Sequence, residues 1–167
     1  MNTKFSELVQ YFKTLASQHT GIAHSDNDKH FYRFELEEVL TSLKNINYPA
    51  FILEGYRYGL IDKLSDNVLK QRSGAFMIIS HLSDVSDFDT MHDIWDDLES
   101  ICDDIIIRIK TDKRDPSISA IKNFDLDSVE VTLIANEIDN NFGIRCTFTV
   151  SSPLSMEVNP HVWLIDA

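Results

Sequence analysis

The sequence predicts an α+β fold: one antiparallel sheet of about four strands, a long amphipathic helix packed on one face, and additional helices at the N-terminus. Three observations lead there. Between Asp87 and Lys110 the apolar residues Phe88, Met91, Ile94, Trp95, Leu98, Ile101, Cys102, Ile105 and Ile109 fall at steps of three and four, which line up on one stripe of a helix. The opposite face carries Asp89, Asp93, Asp96, Asp97, Glu99, Asp103 and Asp104, so the helix must lie across something apolar. On both sides of it the period shortens to the alternation of strands, giving two hairpins joined by the helix.

Each element has its own signature. The first helix spans about Thr3 to Ser17, with Phe5, Leu8, Val9, Phe12, Leu15 and Ala16 at helical spacing and Asn2 or Thr3 as N-cap. The polar run at residues 18–30, with Gly21, Ser25, Asp26, Asn27 and Asp28, breaks the pattern and reads as a surface loop. A second helix is expected over Glu35 to Lys44, where Leu36, Val39, Leu40 and Leu43 recur, and Pro49 disfavours helical geometry at Tyr48.

From Ala50 the stretch AFILEGYRYGL alternates like a strand. A polar linker, Asp62 to Arg72, leads to a second strand, GAFMIISHL. The long helix follows the capping cluster SDVSD; aspartates fill its early turns, and Arg108, Lys110, Lys113 and Arg114 sit near its end, matching the helix dipole. At 1.5 Å per residue it is roughly 36 Å long, enough to cross a four-stranded sheet.

After an irregular passage, Ser117 to Asp125, come SVEVTLIANEI and FGIRCTFTV, separated by the turn residues Asp139, Asn140 and Asn141. Val131, Leu133 and Ala135 share one face, as do Ile144, Cys146, Phe148 and Val150. The chain thus reads as one domain over 1–167: a helical region at 1–45, a β-β-α-β-β core at 46–152, and a tail at 153–167. The apolar VWLI patch of that tail either docks back on its own domain or meets a neighbour.

Composition bounds the function. A hydrophobic fraction of 43% and a charged fraction of 25% are those of an ordinary globular domain. A net charge of −12 repels a phosphate backbone and argues against sequence-specific nucleic-acid binding. No apolar run reaches the roughly 20 residues that span a bilayer, and the N-terminus lacks the apolar core of a signal peptide. Cys102 and Cys146 lie within apolar periodic segments and read as small core residues in a reducing compartment.

Four constellations bear on chemistry. His19, His24 and His30, with Asp26 and Asp28 between them, carry metal-ligand types, but the spacing matches no compact zinc motif or calcium loop. The acids of the long helix lie opposite its apolar stripe and read as a solvated face. Pairing Cys102 with His81, or Cys146 with His161, as nucleophile and base fails because both thiols sit on faces expected to be buried. No nucleophile elbow, phosphate loop or dinucleotide fingerprint is present, so the reading is a protein without enzymatic activity or cofactor. The fourth is interaction: Arg57, Lys63, Lys70 and Arg72 make a locally basic stretch in an acidic chain. It is either bland surface or half of a charge-complementary, head-to-tail contact, with Trp163 of the tail as a further interface candidate.

From about Pro49 to Pro153 the chain resembles the tail terminator (tail completion) proteins of bacteriophages. The resemblance lies in FILEGYRYGL, GAFMIISHL after a polar loop, the helix HDIWDDLESICDDIIIRIK, and the hairpin VEVTLIANEIDNNFGIRCTFTV, with a helix ahead of them. The closing phrase NNFGIRCTFTVSSPL also resembles the last hairpin of phage neck and tail-end proteins. The resemblance implies a small subunit of a hexameric ring that caps the tail tube and docks the neck. Its partners would be copies of itself, tail-tube proteins and neck proteins, and its location the bacterial cytoplasm during assembly and then the virion tail. Two rival readings stand beside it: a small metal-dependent hydrolase using the His19–His30 region, and a bacterial adaptor or binding module with no place in a virion.

Overall fold

A computed structural model describes residues 4–34, 46–62, 68–84, 86–136 and 140–163. The expected second helix, Glu35–Lys44, lies outside them, as do Asn2, Thr3 and Lys63. In chain order the described elements are α1 (Phe5–Gln18), β1 (Phe31–Phe34), β2 (Ala50–Glu54), β3 (Arg57–Ile61), β4 (Val68–His81), α2 (Phe88–Asp112), β5 (Phe124–Asn136) and β6 (Asn141–Leu154). Short 3-10 turns occupy Ser119–Ile121 and Pro160–Val162.

The fold is α+β, but its sheet is six-stranded and mixed rather than four-stranded and antiparallel. The order is β1-β2-β4-β6-β5, with β3 also paired to β4. The parallel member is β1, with Phe31 opposite Phe51. Four residues are too few for a periodic signal, so FYRF carries no predicted element between the 18–30 loop and the expected second helix. Between β1 and β4, β2 is buried on both faces from Ala50 to Leu53.

β2 and β3 are one strand broken by a bulge. Leu53 pairs with Phe76 and Arg57 with Ser73, so four steps on one strand match three on the other. The extra residue, in the Glu54–Tyr56 stretch, switches which side chains face the helices: Phe51 and Leu53 before it, Tyr56, Tyr58 and Leu60 after it. β4 begins at Val68, so much of the expected linker is strand. A larger bulge interrupts β5–β6 between Asp125 and Glu130, where Ser128 Oγ donates to the Asp125 carbonyl (2.6 Å) and accepts from Thr149 N–H (2.9 Å).

Both helices pack on one face of the sheet. From α1, Leu8, Phe12, Leu15 and Ala16 are buried, and the Phe12 ring lies 5.2 Å from Phe148, 5.7 Å from Phe76 and 6.0 Å from Phe51. From α2, Leu98, Cys102, Ile105 and Ile109 join a cluster with Ile144, Cys146, Phe148 and Val150, the predicted inner face of β6. Phe88 is the exception on the stripe, exposed at the first turn. The N-cap is Asp87, whose carboxylate accepts from Thr90 N–H (3.0 Å) and Oγ (2.6 Å). Those two bonds hold the Asp87 carboxyl below its usual pKa.

One buried acid escaped the sequence reading. Asp112, in the last turn of α2, accepts from Arg108 Nε (2.8 and 2.9 Å) and from Tyr11 Oη (3.0 Å), tying α2 to α1. Burial, with the Asp112 charge and hydrogen bond beside it, pushes the Tyr11 phenol well above its ordinary range.

The opposite face of the sheet carries a smaller cluster, Tyr32, Ile46, Ala50, Ile52 and Ile79, with Tyr48 and Met77 against it. Beyond it the face turns polar. Arg145 meets Glu54 in a two-bond pair, Nε to Oε1 at 2.6 Å and Nη2 to Oε2 at 2.7 Å.

Candidate interaction surface

The predicted basic residues divide once placed on the strands. Arg57 opens β3 and is exposed. Lys70 on β4 holds its Nζ 3.9 Å from the Tyr58 ring centroid, a cation–π contact on the surface of the hairpin. Arg72 is 3% exposed, and its Nη1 donates to Ser152 Oγ (2.8 Å) beside the Tyr56 ring. Its charge is therefore spent within the fold and not offered on a loop, because β4 extends through the stretch read as linker. Trp163 is 64% exposed, and with Met156, Val158 and Val162 it forms an apolar tail standing in water.

The sequence reading missed the apolar side chains of the same hairpin. Tyr58 and Leu60 are exposed, and no residue of β3 belongs to a core cluster among the described residues. Their signal was present in the alternation of RYGLI, but a strand expected to lie within the sheet had no reason to leave its apolar face uncovered. On β5, Val131 and Leu133 do share a face as expected, opposite the buried Cys146 and Ile144. They are nevertheless exposed on an edge strand, although α2 touches β5 at Trp95, whose Nε1 donates to the Ile134 carbonyl (3.4 Å).

The three histidines of this region all bond to backbone. His19 Nδ1 accepts from Gly21 N–H (3.1 Å), and its Nε2 stands 3.4 Å from Asp104. The buried His24 accepts at Nδ1 from His30 N–H (3.2 Å) and Phe31 N–H (3.4 Å), which sets the chain into β1. Burial holds the His24 pKa below its ordinary value, with the Lys13 charge acting in the same direction. His30 Nδ1 donates to the Pro49 carbonyl (2.8 Å), bridging the start of β1 to the start of β2. Each imidazole thus serves a different backbone segment, and no metal-binding group of three or more His, Cys, Asp or Glu forms among the described residues.

The other candidates resolve similarly. Asp93, Asp96, Asp97, Asp103 and Asp104 are all exposed on the outer side of α2. Cys102 and Cys146 are buried and meet between α2 and β6; their hydrogen bond and burial push the Cys102 thiol up, away from the thiolate a nucleophile needs. A depression of about 730 Å³ on the second sheet face is lined by Glu54, Arg57, Ser128, Glu130, Arg145 and Thr147 among others. Its most buried charges, Glu54 and Arg145, already neutralise each other. What the surface offers is apolar side chains along strand edges and a tail, with charges of both signs beside them. No helix of the described chain is long and apolar enough to cross a membrane. Compared with known proteins, the chain matches no family model and no curated sequence.

Proposed function

We propose that this chain is a structural assembly protein of a phage or prophage particle, resembling a tail terminator. Copies of it close into a ring, six by the resemblance, that caps the tail tube and receives the neck. One observation carries the reading: large apolar side chains, Tyr58 and Leu60 on the β3–β4 hairpin and Trp163 on the tail, stand in water on an otherwise well-packed molecule. Such surface suits lasting contact with other proteins. The exposed acids of α2 support it as well, since an assembly with net negative charge lets DNA pass without binding its phosphates.

The role is tested in the particle. When particles assemble without this chain, electron micrographs should show tail tubes that overrun their normal length and lack heads. Tubes of normal length joined to heads would contradict it.

A further inference from the structure

We propose that copies of this chain join by strand addition: the β3 edge of one copy pairs antiparallel with the β5 edge of the next, so that the sheet continues from subunit to subunit. This rests on the ring reading and specifies its contact.

Among the described residues β3 pairs only with β4, and β5 only with β6, so within them each strand is an edge of the sheet. Proteins that stay monomeric blunt such edges with lysine, proline or inward-pointing charge. Neither β3 (RYGLI) nor the regular part of β5 after its bulge (EVTLIAN) contains a lysine or a proline.

Their side chains match by face. Tyr58 (58% exposed) and Leu60 (55%) point to the helix side, since Tyr58 pairs with Arg72, which pairs with the core residue Val150. Val131 (39%) and Leu133 (59%) point to the same side, opposite Cys146 and Ile144. Setting Leu60 against Val131 and Tyr58 against Leu133 joins them into one apolar stripe along the seam.

Gly59 points the same way. Its φ is not positive, and a Cβ added there meets nothing within 4 Å among the described residues, so none of them calls for a glycine that weakens a strand. A glycine in a strand often marks where another backbone approaches closely.

Direction follows from topology. β3 runs against β4, β4 against β6 and β6 against β5, so β3 and β5 are antiparallel within one sheet. A ring repeats the subunit by rotation without inverting the sheet, so the incoming β5 is antiparallel to β3 too. The contact is heterologous, the kind that closes into rings when the rotation allows.

The test links the two edges covalently. Chains carrying Leu60→Cys are mixed with chains carrying Val131→Cys or Leu133→Cys and mildly oxidised, the native thiols being buried. The expected product is a mixed covalent dimer that neither variant forms alone. In parallel, Leu60→Lys should reduce the assembly to single chains that still unfold cooperatively, because the residue is exposed in the single chain. If the unaltered chain assembles but no mixed dimer forms and Leu60→Lys leaves the assembly intact, strand addition is overturned and the ring reading stands. If the unaltered chain remains a single subunit, both fall.

Discussion

Replacing Phe76 with alanine should lower the unfolding free energy by about 4 kcal/mol, read as a fall in the urea midpoint at unchanged slope. Phe76 is 0% exposed, and its ring stacks on Phe51 at 5.0 Å with Phe12 and Phe148 at 5.7 and 6.3 Å. These rings come from α1, β2, β4 and β6, so truncation leaves a void bounded by four elements. The sheet cannot collapse into it without giving up its pairing, and α1 is held across the same place by Leu8 and Leu15. Tyr58→Ala, a similar loss of ring on an exposed strand, should stay within about 0.5 kcal/mol. A small effect at Phe76 would mean that α1 does not close over the sheet.

Gly143→Ala should destabilise by about 3 kcal/mol or prevent folding altogether, for the opposite reason. A Cβ at position 143 would press on the Ile78 carbonyl oxygen and lie 2.8 Å from Ile79 Cγ2 and 3.0 Å from Ile79 Cα. Two of those atoms are backbone in the strand that pairs with β6 along its whole length, so relief requires the central pair to move apart. The glycine is there for space, since its φ is not positive. Gly59→Ala is the matched control within the same sheet: it has open space and should leave folding unaffected or slightly improved. Thermal and urea unfolding of the two variants separates a requirement for room from a general intolerance of side chains.

The parts of the fold legible in the sequence were those with a long period. The nine-position stripe of α2 reproduced the helix and most of its buried face, and the Asp139–Asn141 turn signal reproduced the last hairpin; Asn140 takes the left-handed conformation (φ +53°) that asparagine tolerates. What escaped was decided by neighbours distant in the chain. β1 is four residues long and exists because β2 lies beside it. The bulge at Glu54–Tyr56 reverses which side chains of AFILEGYRYGL face the helices, and alternation alone cannot show a reversal within an unbroken pattern. Arg72 was read as a loop cation because the strand extension that buries it depends on its 14-residue pairing with β6. The histidines are ligands by type, but in the fold each bonds to a separate stretch of backbone.

The candidate surface was half legible for the same reason. Charge on the β3–β4 hairpin could be counted, so Arg57 and Lys70 could be named as candidates. Exposure of Tyr58, Leu60, Val131 and Leu133 could not, because it follows from their place at the two edges of a sheet whose order is not written locally.

Self-recognition is the claim on which the rest depends, and sedimentation velocity of the purified chain tests it most directly. At low ionic strength and high concentration the account predicts one dominant species several times the mass of a single chain, giving way to smaller species on dilution. A sample that sediments as one chain throughout that range would contradict it.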